Sequence, residues 1–230
     1  MAKWAASGGV VEILVVTSNC SGELLRPDGS AYRLPAAETS ALRHAEQAAA
    51  AALIGARVTH LGYPQRHFFD GVAVRRLGFG DAVPPPDPAS ALPPLLVAYQ
   101  LPEHVARVAG VLSGLAPSLI LCQPPSDCDP EHHATAALVW AAWRAAEPLA
   151  HVPLRFYSPG SSAPGGLFKI HYDVLEDVSD HFETKLALCA AFASQMTEPR
   201  WRMVRERAAD FGKERGVRFA EPFVSALRGE

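Results

Sequence analysis

Acids and imidazoles are concentrated in one short stretch, Asp127-Cys128-Asp129-Pro130-Glu131-His132-His133. A neutral imidazole carries a lone pair and a carboxylate accepts protons, so this set is equipped for metal ligation or acid–base work. Asp129 is a favourable N-cap, Pro130 suits the first helical position, and the run from Ala134 to Ala146 is rich in strong helix formers. The cluster therefore opens a helix, with His132 in its first turn. The positive end of the helix dipole favours the uncharged imidazole there, which is the ligand form. Directly upstream, Leu119-Ile120-Leu121-Cys122 has the composition of a buried parallel strand, and open parallel sheets bind ligands at the carboxyl ends of their strands. Plainer roles fit the same residues. Asp129 serves equally as a simple cap worth about 1 kcal/mol. Asp127 and Glu131 suit the dipole as acids, and His133 reads as a surface residue.

The elements that must position this cluster follow from hydrophobic periodicity and capping signals. Val10 to Thr17 is a β-branched run of strand length, Glu38 to Ile54 a helix closed by Gly55, and Val58 to Leu61 a short strand. Pro102 to Leu115 is helical, Leu119 to Cys122 extended, Pro130 to Ala146 helical and Leu154 to Tyr157 extended. Strands alternating with helices predict an α/β fold, Rossmann-like, with a mostly parallel sheet covered by helices on both faces. Gly71 to Leu101 and Ser158 to Gly166 are too rich in proline and glycine for regular structure and are expected to be loops. Ser179 to Ser194 and Pro199 to Arg215 are expected as two more helices packed on the sheet, giving one domain over residues 1–230.

Composition narrows the function. With 21 basic and 24 acidic residues and a net charge of -3, the chain lacks the electropositive surface of a nucleic-acid binder. No apolar run approaches the roughly 20 residues that span a bilayer, and Met1 is not followed by a secretion signal, so a soluble cytoplasmic protein is expected. Cys20, Cys122, Cys128 and Cys189 lack CxxC spacing and are expected as free thiols. A homo-oligomer is compatible with this composition.

Four segments, in order, carry a resemblance to a known family: AKWAASGGVVEILVVTSNCSGE, ETSALRHAEQAAAAALIG with VTHLGYP, PSDCDPEHHATAA, and DVSDHFETKLALCAAFASQ with GVRFAEPF. Together they resemble the LmbE-like, or PIG-L, de-N-acetylases along nearly the whole chain. The resemblance implies a zinc-dependent amide hydrolase that removes acetyl from an N-acetylglucosaminyl conjugate. Zinc in such a site acidifies a bound water, a carboxylate takes its proton, and the metal steadies the oxyanion. The family's HPDH signature falls on Asp129-Pro130-Glu131-His132, which makes His132 the implied metal ligand and puts Asp129 at the position of a histidine that assists catalysis; Asp129 and Glu131 are the candidate catalytic residues here. Arg43, in LRHAE, matches a family arginine that reaches the substrate. Asn19, at the carboxyl end of the first strand, is a second candidate for substrate binding.

The chain also departs from that pattern. Asp129 stands where the family has a histidine, Gln65 where it often has an acid, and the AHPDDE loop that supplies further zinc ligands has no counterpart. Met1 to Ser7 reads as the last turns of a helix stopped by Gly8-Gly9, so the first strand and metal loop are expected to lie upstream of Met1. Two explanations stay open: a start assigned to an internal Met, or a relative that has lost its catalytic half. The alternative function is accordingly a catalytically impaired homologue that binds a sugar or a partner. His67, His171 and Asp173 are histidines and an acid that the sequence does not place, and the absence of a GxGxxG loop disfavours a dinucleotide site.

Overall fold

A computed structural model describes residues 1–21, 23–26, 28–70, 72–76, 91–127, 129–158 and 171–227. In chain order the first elements are α1 (Ala2–Ala6), β1 (Glu12–Thr17), β2 (Leu24–Leu25), β3 (Ala31–Tyr32), α2 (Ala36–Ala52), β4 (Arg57–Tyr63), β5 (His67–Phe69) and β6 (Val74–Arg76). Then come α3 (Leu95–Ala98), α4 (Pro102–Leu115), β7 (Ile120–Cys122), α5 (Pro130–Ala145), β8 (Leu154–Tyr157), β9 (Val174–Asp177), α6 (Phe182–Ala190), α7 (Glu198–Arg215) and β10 (Ala220–Ser225). Two compact units result. The first comprises Met1–Leu92 with Asp177–Ala220, the second Pro93–Glu176 with Glu221–Glu230.

In the first unit, β1 and β4 pair in parallel, as the βαβ pattern through α2 requires. Their register shifts between Val15 and Thr17, where β4 carries one extra residue. Gly62 sits in that bulge at a φ of 76°, a left-handed conformation that glycine adopts without a Cβ penalty. Glu12 joins the two strands by side chain, accepting from Arg57 Nε at 2.8 Å and from Thr59 Oγ1 at 2.7 Å. The core elsewhere in this unit is built from Val178, Phe182, Leu186 and Ala208, flanked by Trp201, Val204 and Phe219, with the Phe182 and Phe219 rings stacked 3.8 Å apart. Helix α7 ends at Gly216, whose left-handed φ of 75° closes its last turn.

A buried carboxylate holds α2 to the turn after α6. Glu46 accepts from the Ser194 amide at 2.7 Å and from the Ser194 hydroxyl at 2.8 Å, while the Ser194 carbonyl accepts from the Leu25 amide at 2.8 Å. Glu46 is only 7% exposed, so these bonds replace the water that the charge has lost.

In the second unit, β7, β8, β10 and β9 form one sheet in that order. β7 is parallel to β8, and β10 is antiparallel to it. Helices α3 and α4 pack on α5, whose Ala134, Leu138, Val139, Ala142 and Trp143 are buried. Trp143 satisfies its indole N–H on the Val152 carbonyl at 2.7 Å.

The mixed α/β character agrees with the sequence, but the described strands form four small sheets with both parallel and antiparallel pairs. Gly71 to Leu101, expected to be irregular, contains β6 and α3; residues 77–90 of it lie outside the described residues, as do 159–166 of the second loop. The helix expected from Ser179 to Ser194 starts as a 3-10 turn at Ser179–His181, becomes α-helical at Phe182 and stops at Ala190. The cause at its start is Asp177, whose Oδ1 accepts from both the amide and the hydroxyl of Ser179. Cys20, Cys122 and Cys189 are free thiols, as expected, and Cys128 lies outside the described residues. Among the described residues no helix is long and apolar enough to cross a membrane.

Replacing Glu46 by Ala strands the buried Ser194 amide and removes the acid beside Arg43, at an expected cost of roughly 2–4 kcal/mol. Urea unfolding measures it, and a loss within about 0.5 kcal/mol would show that the contact carries no stability. Glu12 gives a pH signature. The bonds from Thr59 and then Arg57 hold its carboxyl below the ordinary 4.5. The stability it adds is complete above that ordinary value and is lost as pH falls through the lowered folded value. The melting-temperature gap between the wild type and Glu12→Gln should therefore narrow on acidification below 4.5.

Candidate functional site

Strand β7 delivers the chain to Gln123, and the turn that follows folds back on itself through the Asp127 amide, which donates to the Pro124 carbonyl at 3.2 Å. Asp127 is 7% exposed and uses both carboxylate oxygens. Its Oδ1 accepts from the Asp129 amide at 3.0 Å, and its Oδ2 lies 2.9 Å from His132 Nδ1. Asp129 then caps α5 as its residue type predicts, with Oδ1 accepting from the Glu131 amide at 2.8 Å. Three successive acceptors thus wind the loop into the first helical turn.

An ionised carboxylate can only accept, so the bond from Asp127 places the proton of His132 on Nδ1. The lone pair is left on Nε2. With the side chain 52% exposed, the ring is accessible from solvent yet held in one orientation, the arrangement in which a carboxylate prepares a histidine for a metal or a proton. The His133 ring points elsewhere: Nδ1 donates to the Pro125 carbonyl at 2.8 Å, and the ring meets Tyr99 edge-on with centroids 6.3 Å apart. His133 is exposed, in keeping with its reading as a surface residue of the first turn.

Two further groups stand at the strand ends of this unit. Tyr157 closes β8, and its hydroxyl donates to Gln123 Oε1 at 3.2 Å; the Cys122 thiol, at 3.5 Å, donates to the same oxygen. Burial pushes the Cys122 thiol up to about 12. Desolvation, and then the charges of Cys122 and Asp127, push the Tyr157 phenol upward as well, although 43% of that residue remains exposed. Both groups stay protonated donors at neutral pH.

The sequence-derived candidates divide between the units. Asp129, Glu131 and His132 come together in the second, where Asp129 acts as cap and Glu131 is 7% exposed. Arg43 and Asn19 belong to the first. Arg43 lies 3.8 Å from Glu46 and donates to the Glu23 carbonyl at 3.4 Å. Burial lowers its pKa, against the pull of the Glu46 charge. Asn19 adopts a left-handed φ of 55°, and its Nδ2 is buried with no hydrogen-bond partner among the described residues. Asp173 is used in the fold, accepting from the Ser225 amide at 2.8 Å, and Gln65 accepts from the Ser21 amide at 3.0 Å. Sequence reasoning kept Asp127 as a weak candidate and did not consider Gln123 or Tyr157. The signal for the first was a carboxylate five residues before a histidine, on the other side of an N-cap; for the others it was their place at the carboxyl ends of two strands.

A catalytic zinc takes three protein ligands and keeps a position for water. Among the described residues no group of three or more His, Cys, Asp and Glu side chains could hold a metal ion. His132 offers one nitrogen, and both oxygens of its nearest acid are already committed. This donor set does not fit a catalytic zinc.

The family model for PIG-L, GlcNAc-PI de-N-acetylase, matches residues 1–143. No curated protein sequence matches significantly. Among solved structures, a conserved protein from Thermus thermophilus is 23% identical with a TM-score of 0.64, covering 100% of this chain and 87% of that one. An N,N'-diacetylchitobiose deacetylase from Pyrococcus horikoshii is 18% identical with a TM-score of 0.68, over 99% of this chain and 76% of that one. A 4-carboxy-2-hydroxymuconate hydratase from Pseudomonas putida is also 18% identical with a TM-score of 0.68, over 98% of this chain and 88% of that one. These likenesses establish a shared fold, and a fold hosts more than one chemistry.

The role of Asp127 can be read by nitrogen-15 NMR. In the wild type the His132 ring should show the Nδ1–H form, and Asp127→Ala should shift it towards Nε2–H; an unchanged pattern would separate the two side chains. Asp129→Ala should cost about 1 kcal/mol in unfolding experiments through the lost cap.

Proposed function

The chain belongs to the PIG-L family of GlcNAc-PI de-N-acetylases, and from that premise we propose that it hydrolyses the acetamide of an N-acetylglucosaminyl conjugate. Water adds its oxygen to the acetyl carbon, the C–N bond breaks, and acetate and the sugar amine leave. The observation that carries this reading is the His132 ring, fixed by Asp127 with Nε2 presented at the carboxyl end of β7. That segment falls inside the matched residues.

The chain's own residues take the following parts. His132 Nε2 is the group that meets a metal or a proton at the reacting amide. Asp129, which caps α5, and Glu131 are, as carboxylates, the candidate proton acceptors. Arg43 and Asn19 are the candidates for holding polar groups of the conjugate, supported by the guanidinium fork of the one and the unpartnered amide of the other. Zinc is the cofactor that the family reading implies, and because the described donors do not fit it, no step is assigned to it. Both units are read as one family domain with a Rossmann-like plan, supported by alignments to solved structures over 98% to 100% of this chain.

The test is acetate release from N-acetylglucosaminyl conjugates, with and without added zinc, alongside detection of the new amine. Release is expected, and His132→Ala should reduce it about a hundredfold or more while leaving the melting temperature near that of the wild type. A folded wild-type protein that frees no acetate from any such conjugate would overturn the hydrolase in favour of a binding protein.

A further inference from the structure

Two arginines of the first unit are joined through one side chain. Gln195, in the turn between α6 and α7, donates through Nε2 to the Glu23 carbonyl at 2.7 Å, the same oxygen that Arg43 Nη2 reaches at 3.4 Å. Its Oε1 accepts from Arg200 Nη1 at 3.2 Å, and its backbone carbonyl accepts from that nitrogen at 2.6 Å. A continuous chain of bonds thus runs from Arg43 through the Glu23 carbonyl and Gln195 to Arg200. Gathering two cations in this way is unfavourable by itself. The Arg43 side chain is only 13% exposed; burial first, and the Arg200 charge after it, lower its pKa against the pull of Glu46. Arg200 stands in the first turn of α7, where Thr197 makes no side-chain cap and the helix dipole adds to the positive potential.

The acids around the pair do not cancel its charge. Glu46 gives one oxygen to each of the two Ser194 donors and lies 3.8 Å from Arg43. Glu198 lines the groove between α6 and α7 with Trp201 and Arg205. Among the described residues no carboxylate pairs with Arg200, whose Nε and Nη2 keep their donors. We propose that Arg43 and Arg200 together bind an oxyanion, a carboxylate or phosphate group of a small ligand. Such a group supplies the counter-charge that the protein withholds, and its oxygens match guanidinium forks two bonds at a time. A neutral hydroxyl would accept a hydrogen bond and leave the excess charge in place. The site lies wholly within the first unit and makes no use of His132, so it does not depend on the hydrolase reading. It adds Arg200 to the binding residues and gives a chemical class to what Arg43 holds.

Calorimetric titration of the full chain with inorganic phosphate and with malonate, at an ionic strength fixed by sodium chloride, is the experiment. The wild type should bind at least one of the two saturably, and the one held more tightly tells phosphate from carboxylate as the group recognised. Arg200→Gln, which removes the charge and keeps a polar side chain, should weaken that binding about tenfold or more. As a second measurement, the bound anion should raise the wild-type melting temperature above its value in sodium chloride of equal ionic strength, and it should raise that of Arg200→Gln less. Saturable binding by neither anion, a melting temperature that follows ionic strength alone, or a folded Arg200→Gln that binds as the wild type does would each overturn the site. Arg200 would then be an exposed arginine that only ties the start of α7 to Gln195.

Discussion

The second unit turns on the carboxylate of Asp127. A charge that is 7% exposed must be satisfied on every side, and this one is satisfied by the backbone ahead of α5 and by an imidazole within it. The same two oxygens therefore do three things: they close the loop after β7, set the angle at which α5 begins, and choose which nitrogen of His132 is free. Loop, helix and ring cannot be rearranged one at a time. That coupling is why an exposed side chain on a first helical turn can keep a defined direction.

Much of the scaffold was legible where local chemistry is decisive. Helix α4 runs from Pro102 to Leu115 and β8 from Leu154 to Tyr157, as expected, because a proline at the first helical position and an alternating Leu-Arg-Phe-Tyr run between Pro153 and Ser158 leave few alternatives. The two-residue β2 and β3, and the pairs β5–β6 and β9–β10, were not legible. Such strands exist only through their partners, and Pro222 in β10 has no amide to give a ladder, so that run does not look like a strand in isolation. The helix expected from Ser179 opens instead as a 3-10 turn because of a side chain at its start, a competition between Asp177 and the helix that periodicity does not register.

The site was legible to a similar depth. His132 and the cap at Asp129 follow from residue type and position. The partner of His132 does not, because Asp127 precedes the cap and reaches the ring only after the loop has turned. Arg43 stands in the first unit beside an acid and a carbonyl, partners that its residue type does not reveal. The mismatch with zinc belongs in the same account. Family membership suggests a metal, and the described donors provide a single well-presented nitrogen.

The division of the chain bears on how it is made. The first unit needs Asp177–Ala220 to complete the layer around Phe182 and to bring Ser194 to Glu46, 148 positions away. During synthesis its leading half emerges long before its closing half, with the whole of Pro93–Glu176 translated in between. Until then Glu46 has no backbone amide to face and the inner side of α2 remains wet. Contacts this distant are slow to form, and until they close they leave apolar surface open to other chains.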